Sequence, residues 1–339
     1  MEETNIPAGR TVRTGWIMLA GIIFLAAAFV ISLSYGSTNI EIKTVWQAIF
    51  NFHPELKEHQ VVHEIRLPRA ITAAIIGAFL ALSGAIMQAL TRNPLAEPAI
   101  IGVSHGAAFA LVVSLTIFPG ISRSGSILIS MAGAGAAVVL VFSLTAVSRG
   151  GIAPVKLALA GVAIGMFLSS LTSVIAIHFD VAKELSFWYA GSLEASDWDG
   201  IKMLGVVGAI GIAIVMILAR ALTILSLGAE VTKGLGINLQ IVNMLGVFAV
   251  LLLTGSSVAA AGTVSFVGLV VPHISRMLVG PDYRFSLPVT AVFGSLLLVL
   301  GDIGSRMINP PYETPIGVVT AAIGVPFFLY LVRSGRSRL

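Results

Sequence analysis

Long runs of apolar residues, separated by short polar segments, dominate this chain of 339 residues. A helix needs about 20 apolar residues to cross the hydrocarbon core of a bilayer, and ten runs approach that length. They predict membrane-spanning helices near residues 16–34, 70–90, 99–118, 126–147, 157–178, 201–219, 241–258, 262–279, 285–304 and 315–332. The runs lack the alternation of transmembrane β-strands, so the predicted fold class is an all-α, polytopic membrane protein.

The eighth run is the least regular of the ten, because Pro272, His273 and Arg276 fall in its second half. We therefore expect its membrane part to be short and to stop near Val271. Spans two to five can be related to spans seven to ten by an offset of five spans. Because five is odd, corresponding helices in the two sets cross the membrane in opposite directions. Inverted repeats of this kind are common in transporters.

The distribution of basic residues predicts which ends of the helices face the cytoplasm. With the N-terminus inside, the inner segments carry twelve of the 20 Lys and Arg residues and the outer segments carry eight. The cluster of Arg333, Arg336 and Arg338 near the C-terminus adds to the inner count. We therefore expect both termini to be cytoplasmic.

Composition excludes several functional classes. Hydrophobic residues make up 57% of the chain and charged residues 11%, whereas soluble domains carry about 25% charged residues. The chain has no cysteine, which excludes disulfides and cysteine-bound metal clusters. Its basic residues are scattered over many loops, so we expect no nucleic-acid partner.

If the chain transports a substrate actively, its energy is expected to come from a partner. The sequence contains no G-x-x-x-x-G-K-[ST] phosphate loop, the motif that cradles nucleotide phosphates. It also lacks a recognisable catalytic set, so we expect neither an enzyme nor a bound cofactor or metal. Ionisable residues deep in a membrane mark proton and ion pathways, and the middles of the predicted spans carry none. An ion-coupled secondary carrier remains the alternative of another class.

One inner loop, residues 221–240, has the features of a contact for an energy-supplying partner. Gly228 precedes a short helix-compatible stretch, and Gly234 and Gly236 follow it. Glycine suits the left-handed conformation that ends a helix, so this loop can hold one or two short helices at the inner surface. An ordinary interhelical loop with glycine turns is the alternative.

Three arginines are predicted to lie at the outer ends of spans. Arg66 and Arg69 flank the start of span two, and Arg306 follows Asp302 at the end of span nine. The guanidinium group suits bidentate pairing with carboxylates, so these residues could hold an acidic partner. Two alternatives stay open: the arginines reach the interface as helix-end charges, and Arg306 pairs with Asp302.

Several segments, in their order along the chain, resemble the FecCD-type permeases. These are the membrane subunits of ABC importers that take up ferric siderophores, haem and cobalamin. The resemblance runs from about residue 60 to the C-terminus. It is carried by residues 66–69 (RLPR), 77–84 (GAFLALSG), 93–98 (NPLAEP), 102–107 (GVSHGA), 188–192 (WYAGS), 227–236 (LGAEVTKGLG), 266–273 (FVGLVVPH), 302–306 (DIGSR), 313–320 (ETPIGVVT) and 324–330 (GVPFFLY).

The resemblance implies a dimer of permeases in a bacterial cytoplasmic membrane, each with ten helices. Two cytoplasmic ABC ATPase subunits would lie below it, and an extracytoplasmic substrate-binding protein would dock above. The second permease would be the same chain or a related one. The residues implied to contact the ATPases are Leu227, Gly228, Glu230, Gly234, Leu235 and Gly236. Arg66, Arg69 and Arg306 would receive acidic residues of the binding protein.

The resemblance also narrows the cargo. A ferric siderophore is the commonest substrate class among similar permeases, so we expect this cargo to be translocated by alternating access. Cobalamin or haem carried by the same mechanism is the alternative.

Overall fold

The computed structural model describes residues 8–36, 39–118, 120–147, 154–310 and 312–333, and these residues form helices and no strand. Two short segments complete the helical parts: a π-turn at Val61–Arg66 and a 3₁₀ turn at Pro98–Ile101. The α-helices are α1 (Ala8–Ser34), α2 (Ile42–Phe50), α3 (Lys57–Gln60), α4 (Leu67–Thr91), α5 (Val103–Ile117), α6 (Arg123–Val147), α7 (Pro154–His178), α8 (Ala182–Ala190), α9 (Trp198–Ser226), α10 (Ala229–Gly234), α11 (Leu239–Ala261), α12 (Val267–Val279), α13 (Tyr283–Met307) and α14 (Ile316–Arg333).

The helices confirm the predicted fold class. Seven are long and apolar enough to cross a membrane, and three shorter apolar helices accompany them within the described residues. Each of the ten predicted spans overlaps one of these helices. That all ten cross the membrane, and that both termini are cytoplasmic, stay predictions.

Two predicted spans, the third and the eighth, begin too early. The corresponding helices α5 and α12 have 15 and 13 residues, which rise about 22 and 20 Å against a core of about 30 Å. A 3₁₀ turn and Gly102, at φ +79°, precede α5. The non-helical segment 262–266 precedes α12 and ends at Phe266, whose φ is +70°. Positive φ at these two residues breaks the helical path before each short helix.

Helix α12 continues through Pro272 and ends at Val279, the predicted end of the eighth span; that its membrane part stops near Val271 stays a prediction. A proline inside a helix removes one backbone hydrogen bond and leaves a carbonyl four residues earlier without its donor. Here that carbonyl belongs to Gly268, and it accepts a hydrogen bond from Gln88 of α4 at 3.2 Å. The side chain from a neighbouring helix therefore allows α12 to tolerate the proline.

Helix α4 is the central helix of the bundle. In its most apolar stretch 78% of the residues are buried, against 28% in α1, α7 and α9. Its glycines allow two close approaches: a Cβ at Gly77 would overlap the Gly294 carbonyl of α13, and one at Gly84 would overlap the Gly268 carbonyl of α12. Small residues allow helices to approach closely in lipid, and here they place α4 against both neighbours.

The packing partners agree with the expected internal repeat. Helix α4 packs against α12 and α13, and α11 packs against α5 and α6. These are the pairings that an offset of five spans requires, since it relates α4 to α11, α5 to α12 and α6 to α13. That α5 and α12 are equivalent members of two repeated halves stays a prediction.

Candidate coupling and docking sites

The predicted coupling loop lies at the end of the longest described helix. Helix α9 has 29 residues, which rise about 43 Å and exceed a hydrocarbon core of about 30 Å. Its C-terminal end leads through Leu227 and Gly228 into α10, followed by Leu235–Asn238 and α11. The loop therefore contains one short helix, as the sequence predicted.

Two of the three predicted glycines have the backbone conformation that favours glycine. Gly228 has φ +127° and Gly236 has φ +74°. Gly234 is instead the last residue of α10 and is not among the positive-φ residues. Of the two glycines that follow the helix-compatible stretch, Gly236 therefore has the left-handed conformation and Gly234 completes α10.

Thr232 fixes α10 to the end of α9. Its side chain is fully buried, and its hydroxyl lies 2.6 Å from the Gly228 carbonyl oxygen and 3.3 Å from that of Ile224. At the other end of the loop, the Asn238 side chain accepts a hydrogen bond from the backbone N–H of Gln240 at 2.9 Å. The contact of Thr232 with Ile224 therefore joins α10 to α9, and Asn238 caps the start of α11.

An apolar stripe runs along the exposed face of this loop. Leu227, Val231 and Leu235 are 67%, 46% and 61% exposed; Val231 lies on α10, and the two leucines cap the ends of α9 and α10. Glu230 and Lys233 are exposed beside them. Contiguous exposed apolar side chains mark interaction surfaces. The sequence prediction included Leu227 and Leu235 but missed Val231, whose only signal was its spacing from the two leucines.

A second set of hydrogen bonds joins the end of α9 to the start of α13. The Thr223 hydroxyl accepts a hydrogen bond from the backbone N–H of Tyr283 at 2.9 Å and lies 3.3 Å from Oδ1 of Asp282. Burial raises the pKa of Asp282, but hydrogen bonds and the charge of Arg284, with Thr223, outweigh it and hold the pKa below its ordinary value. Asp282 is therefore ionised at neutral pH and stabilises this junction.

The predicted docking arginines lie at the opposite end of the bundle. Arg69 donates hydrogen bonds from Nε to Oδ1 of Asp302 and from Nη1 to Oε1 of Glu313, both at 2.8 Å. The Arg69 and Asp302 side chains are 8% and 1% exposed, whereas Glu313 is 35% exposed. One arginine therefore joins α4 to the end of α13 and to the segment before α14.

Arg306 and Arg66 complete this cluster. Arg306 pairs with Oδ2 of Asp302 at 3.1 Å and donates to the Ser32 hydroxyl at 2.8 Å. Arg66 donates to the backbone carbonyls of Leu33 and Ser34 at 2.7 and 3.0 Å. Both side chains thus bond to the C-terminal end of α1, where backbone carbonyls lack helical donors.

The arginine cluster has a structural role within the chain. Arg66, Arg69 and Arg306 are 5%, 6% and 8% exposed, and the alternative pairing of Arg306 with Asp302 is confirmed. A buried arginine bonded to its own chain offers few free donors to an outside acid. That these three residues receive acids of a binding protein stays a prediction.

The described residues contain no group of three or more His, Cys, Asp or Glu that could hold a metal ion. His59 of α3 accepts, at Nδ1, a hydrogen bond from the backbone N–H of His53 at 3.1 Å.

Comparisons with known proteins are consistent with this arrangement. The sequence model of the FecCD transport family matches residues 24–334. The iron(3+)-hydroxamate import system permease protein FhuB of Bacillus subtilis (strain 168) is 48% identical over 323 residues, which cover 95% of this chain and 84% of FhuB. The Fe(3+)-citrate import system permease protein YfmD of the same organism is 42% identical over 320 residues, covering 94% of this chain and 95% of YfmD.

A solved structure also matches over most of its length. It is described as a metal-chelate type ABC transporter in an inward-facing conformation. It is 31% identical with a TM-score of 0.83, and the match covers 94% of this chain and 99% of that chain. The match shows that the arrangement of long and short helices described above is shared with a protein of known structure.

Proposed function

The chain belongs to the FecCD transport family, and on this premise we propose that it is the permease subunit of a bacterial ABC importer for ferric siderophores. The observation that carries the proposal is the 48% identity, over almost the whole chain, with an iron(3+)-hydroxamate permease. Hydroxamate chelates are therefore the first cargo to test, with ferric citrate second, because a citrate permease is 42% identical.

Radio-iron uptake in a strain that lacks this gene, with and without the gene restored, tests the cargo. The panel contains ferric hydroxamate, catecholate and citrate-type chelates. Selective loss of hydroxamate uptake, recovered on complementation, is the expected result. Unchanged uptake of every iron chelate, in a strain whose other iron importers are deleted, would contradict the proposal.

The coupling part of the proposal concerns the apolar stripe of Leu227, Val231 and Leu235. A cytoplasmic ATPase subunit covers this stripe and moves α10 when ATP binds. The support is the exposure of three apolar side chains on a loop that is fixed to α9 through Thr232. Each substitution of a stripe residue by serine removes apolar contact area worth about 1–2 kcal/mol.

Binding of the purified ATPase to the permease in nanodiscs tests this contact. Replacing all three stripe residues by serine is expected to weaken ATPase binding at least a hundredfold. Leu56→Ser is the matched control, because Leu56 is 50% exposed but lies on the outer side. Equal binding by the triple variant and the control would show that the ATPase contacts another surface.

The assembly part of the proposal is a dimer of permeases with two ATPases on the inner side and a binding protein on the outer side. On the outer side an acid of the binding protein reaches the arginine cluster by competing with Glu313, the more exposed of its two carboxylates. Replacing Glu313 by glutamine leaves every arginine in place and removes the competing charge.

Binding-protein affinity for the Glu313→Gln variant therefore tests the docking prediction. We expect tighter docking at low salt and a smaller gain as salt rises, because exposed charges are screened beyond about 8–10 Å. Unchanged docking at low salt would show that Arg69 does not receive the binding protein.

A further inference from the structure

Helix α12 begins deep inside the bundle and is fixed there by a residue from another part of the chain. The backbone N–H of Phe266 donates to Oε1 of Glu97 at 2.9 Å. Glu97 belongs to the segment before α5, which is the predicted repeat-equivalent of the segment before α12. The starts of the two short helices therefore meet through one carboxylate and one backbone amide.

The middle of α12 is fixed to α4 by Gln88. This side chain is 4% exposed, and its Nε2 lies 3.2 Å from the Gly268 carbonyl oxygen and 3.4 Å from that of Leu269. Because Pro272 has no N–H, the Gly268 carbonyl lacks its helical donor. Gln88 therefore satisfies a backbone group that α12 cannot satisfy itself.

Arg276 links the far end of α12 to the same glutamine. Its Nη2 donates to Oε1 of Gln88 at 2.6 Å, and its charge interacts with the side chain of Tyr283 at the start of α13. Since arginine has donors and no acceptor, it orients the Gln88 amide with Oε1 toward itself and Nε2 toward Gly268. The two contacts of Gln88 thus depend on each other.

The inner end of this chain of bonds reaches the coupling loop. The Tyr283 backbone N–H donates to the Thr223 hydroxyl, and the carbonyl of the next residue, Ile224, lies 3.3 Å from the Thr232 hydroxyl of α10. Hydrogen bonds therefore join α10 to α9 and α9 to the start of α13, and the interaction of Tyr283 with Arg276 together with the packing of α13 on α12 continues the path to Phe266.

The outer end of the chain of bonds lies among α8 and α14. A Cβ at Gly317 of α14 would stand 2.8 Å from the Thr263 carbonyl oxygen, and one at Gly324 would overlap Phe266. The segment 262–266 also approaches the Trp188 carbonyl of α8 at Gly262. Any displacement of α12 along its axis must therefore move against these two helices.

We propose that α12 transmits the displacement of α10 to the segment 262–266, and that Gln88 and Arg276 are the positioning residues that make this transmission rigid. The proposal rests on the proposed function, since α10 moves only if an ATPase binds it. A pathway of contacts alone is not coupling. The coupling free energy between ATP binding and the outer segment must depend on these two side chains.

Uptake per ATP hydrolysed, measured with the complete transporter in proteoliposomes, tests the proposal. Gln88→Leu removes both contacts of the amide, and we expect this ratio to fall at least tenfold while ATP hydrolysis persists. Thr91→Val is the matched control, because Thr91 lies one turn further along α4 and its hydroxyl donates to the carbonyl of Met87 in the same helix. A wild-type ratio for Gln88→Leu would overturn the proposal.

Two further variants separate transmission from simple stabilisation of the fold. Gln88→Glu keeps the side-chain size and the bond to Arg276 but cannot donate to Gly268 when ionised, so it also uncouples transport while assembling normally. Combining Gln88→Leu with Arg276→Met is expected to lower the ratio no further than Gln88→Leu alone, because the two residues act as a unit. Additive losses, or normal coupling by Gln88→Glu, would contradict a shared role.

A readout independent of uptake uses the absence of cysteine from the chain. Ser265→Cys places a single thiol in the segment 262–266, and its labelling by a water-soluble maleimide is followed with and without a non-hydrolysable ATP analogue. We expect ATP-dependent labelling that disappears with Gln88→Leu; labelling that stays ATP-dependent would refute transmission through Gln88. Failure of wild-type transport would reject the proposed function instead.

Discussion

Replacing Asp302 by asparagine is expected to lower the free energy of unfolding by about 3–5 kcal/mol, the cost of removing one partner of a buried ion pair. Asp302 contacts Arg69 and Arg306 at 2.8 and 3.1 Å and is 1% exposed. With Arg66 and Glu313 the cluster holds three arginines and two carboxylates, so the substitution raises its net charge from +1 to +2. The remaining acid, Glu313, is partly exposed and cannot compensate.

Reversible unfolding of the purified permease in mixed micelles, followed by helical circular dichroism, measures this loss. Glu313→Gln is the matched control, because partly exposed ion pairs contribute about 0–1 kcal/mol. Adding Arg306→Met to Asp302→Asn removes one unpaired cation, so the double variant should lose less stability than the sum of the single variants. A loss below about 1 kcal/mol for Asp302→Asn, or equal losses for Asp302 and Glu313, would refute the argument that burial makes this pair decisive.

Substitutions at glycines give two further predictions. Gly236→Val forces a branched residue into positive φ, which costs about 1–2 kcal/mol, and should lower uptake per ATP hydrolysed. Gly234→Ala places a methyl group in open space at the end of a helix and should leave uptake per ATP hydrolysed unchanged. Similar ratios for the two variants would contradict the turn assignment. Gly84→Ala overlaps the Gly268 backbone and should reduce the yield of folded permease, measured by size-exclusion chromatography. The methyl group of Gly135→Ala would meet no atom closer than 3.7 Å, so this variant should keep the wild-type yield. Equal yields of the two variants would contradict the close approach of α4 and α12.

The sequence predicted the long helices well because their signal is local. About 20 consecutive apolar residues have few alternatives to a membrane-spanning helix. The start of α10 was also close to expectation, because a glycine directly before a short helical stretch, here Gly228, is a local signal as well. Val231 was missed because its exposure depends on which way the short helix faces.

The breaks before α5 and α12 could not be predicted in the same way. No charged residue or proline interrupts 262–266 (GTVSF), so composition extends the eighth span to its full length. The helix begins only at Val267 because Phe266 adopts positive φ and its N–H bonds to Glu97, a residue 169 positions away. A contact between residues this far apart in the chain produces no periodic pattern in the sequence of either segment.

The arginines show the same limit for side-chain roles. Arg66, Arg69 and Arg306 were correctly placed at one end of the bundle, and a partner acid for Arg306 was named among the alternatives. Their burial depends on contacts with the end of α1 and with Glu313. The positions of the spans along the sequence do not predict these contacts. In the structure, the three arginines expected at the surface are therefore buried and form a hydrogen-bonded network.

ATP-driven accumulation of radiolabelled ferric hydroxamate by the reconstituted complex tests the central claim most directly. The complex contains this chain, its ATPase and its binding protein, and the stripe variant Leu227→Ser/Val231→Ser/Leu235→Ser is measured beside the wild type. We expect wild-type accumulation that requires ATP and persists without an ion gradient, and none with the stripe variant. Accumulation driven by an ion gradient without the ATPase would contradict the account and identify a secondary carrier.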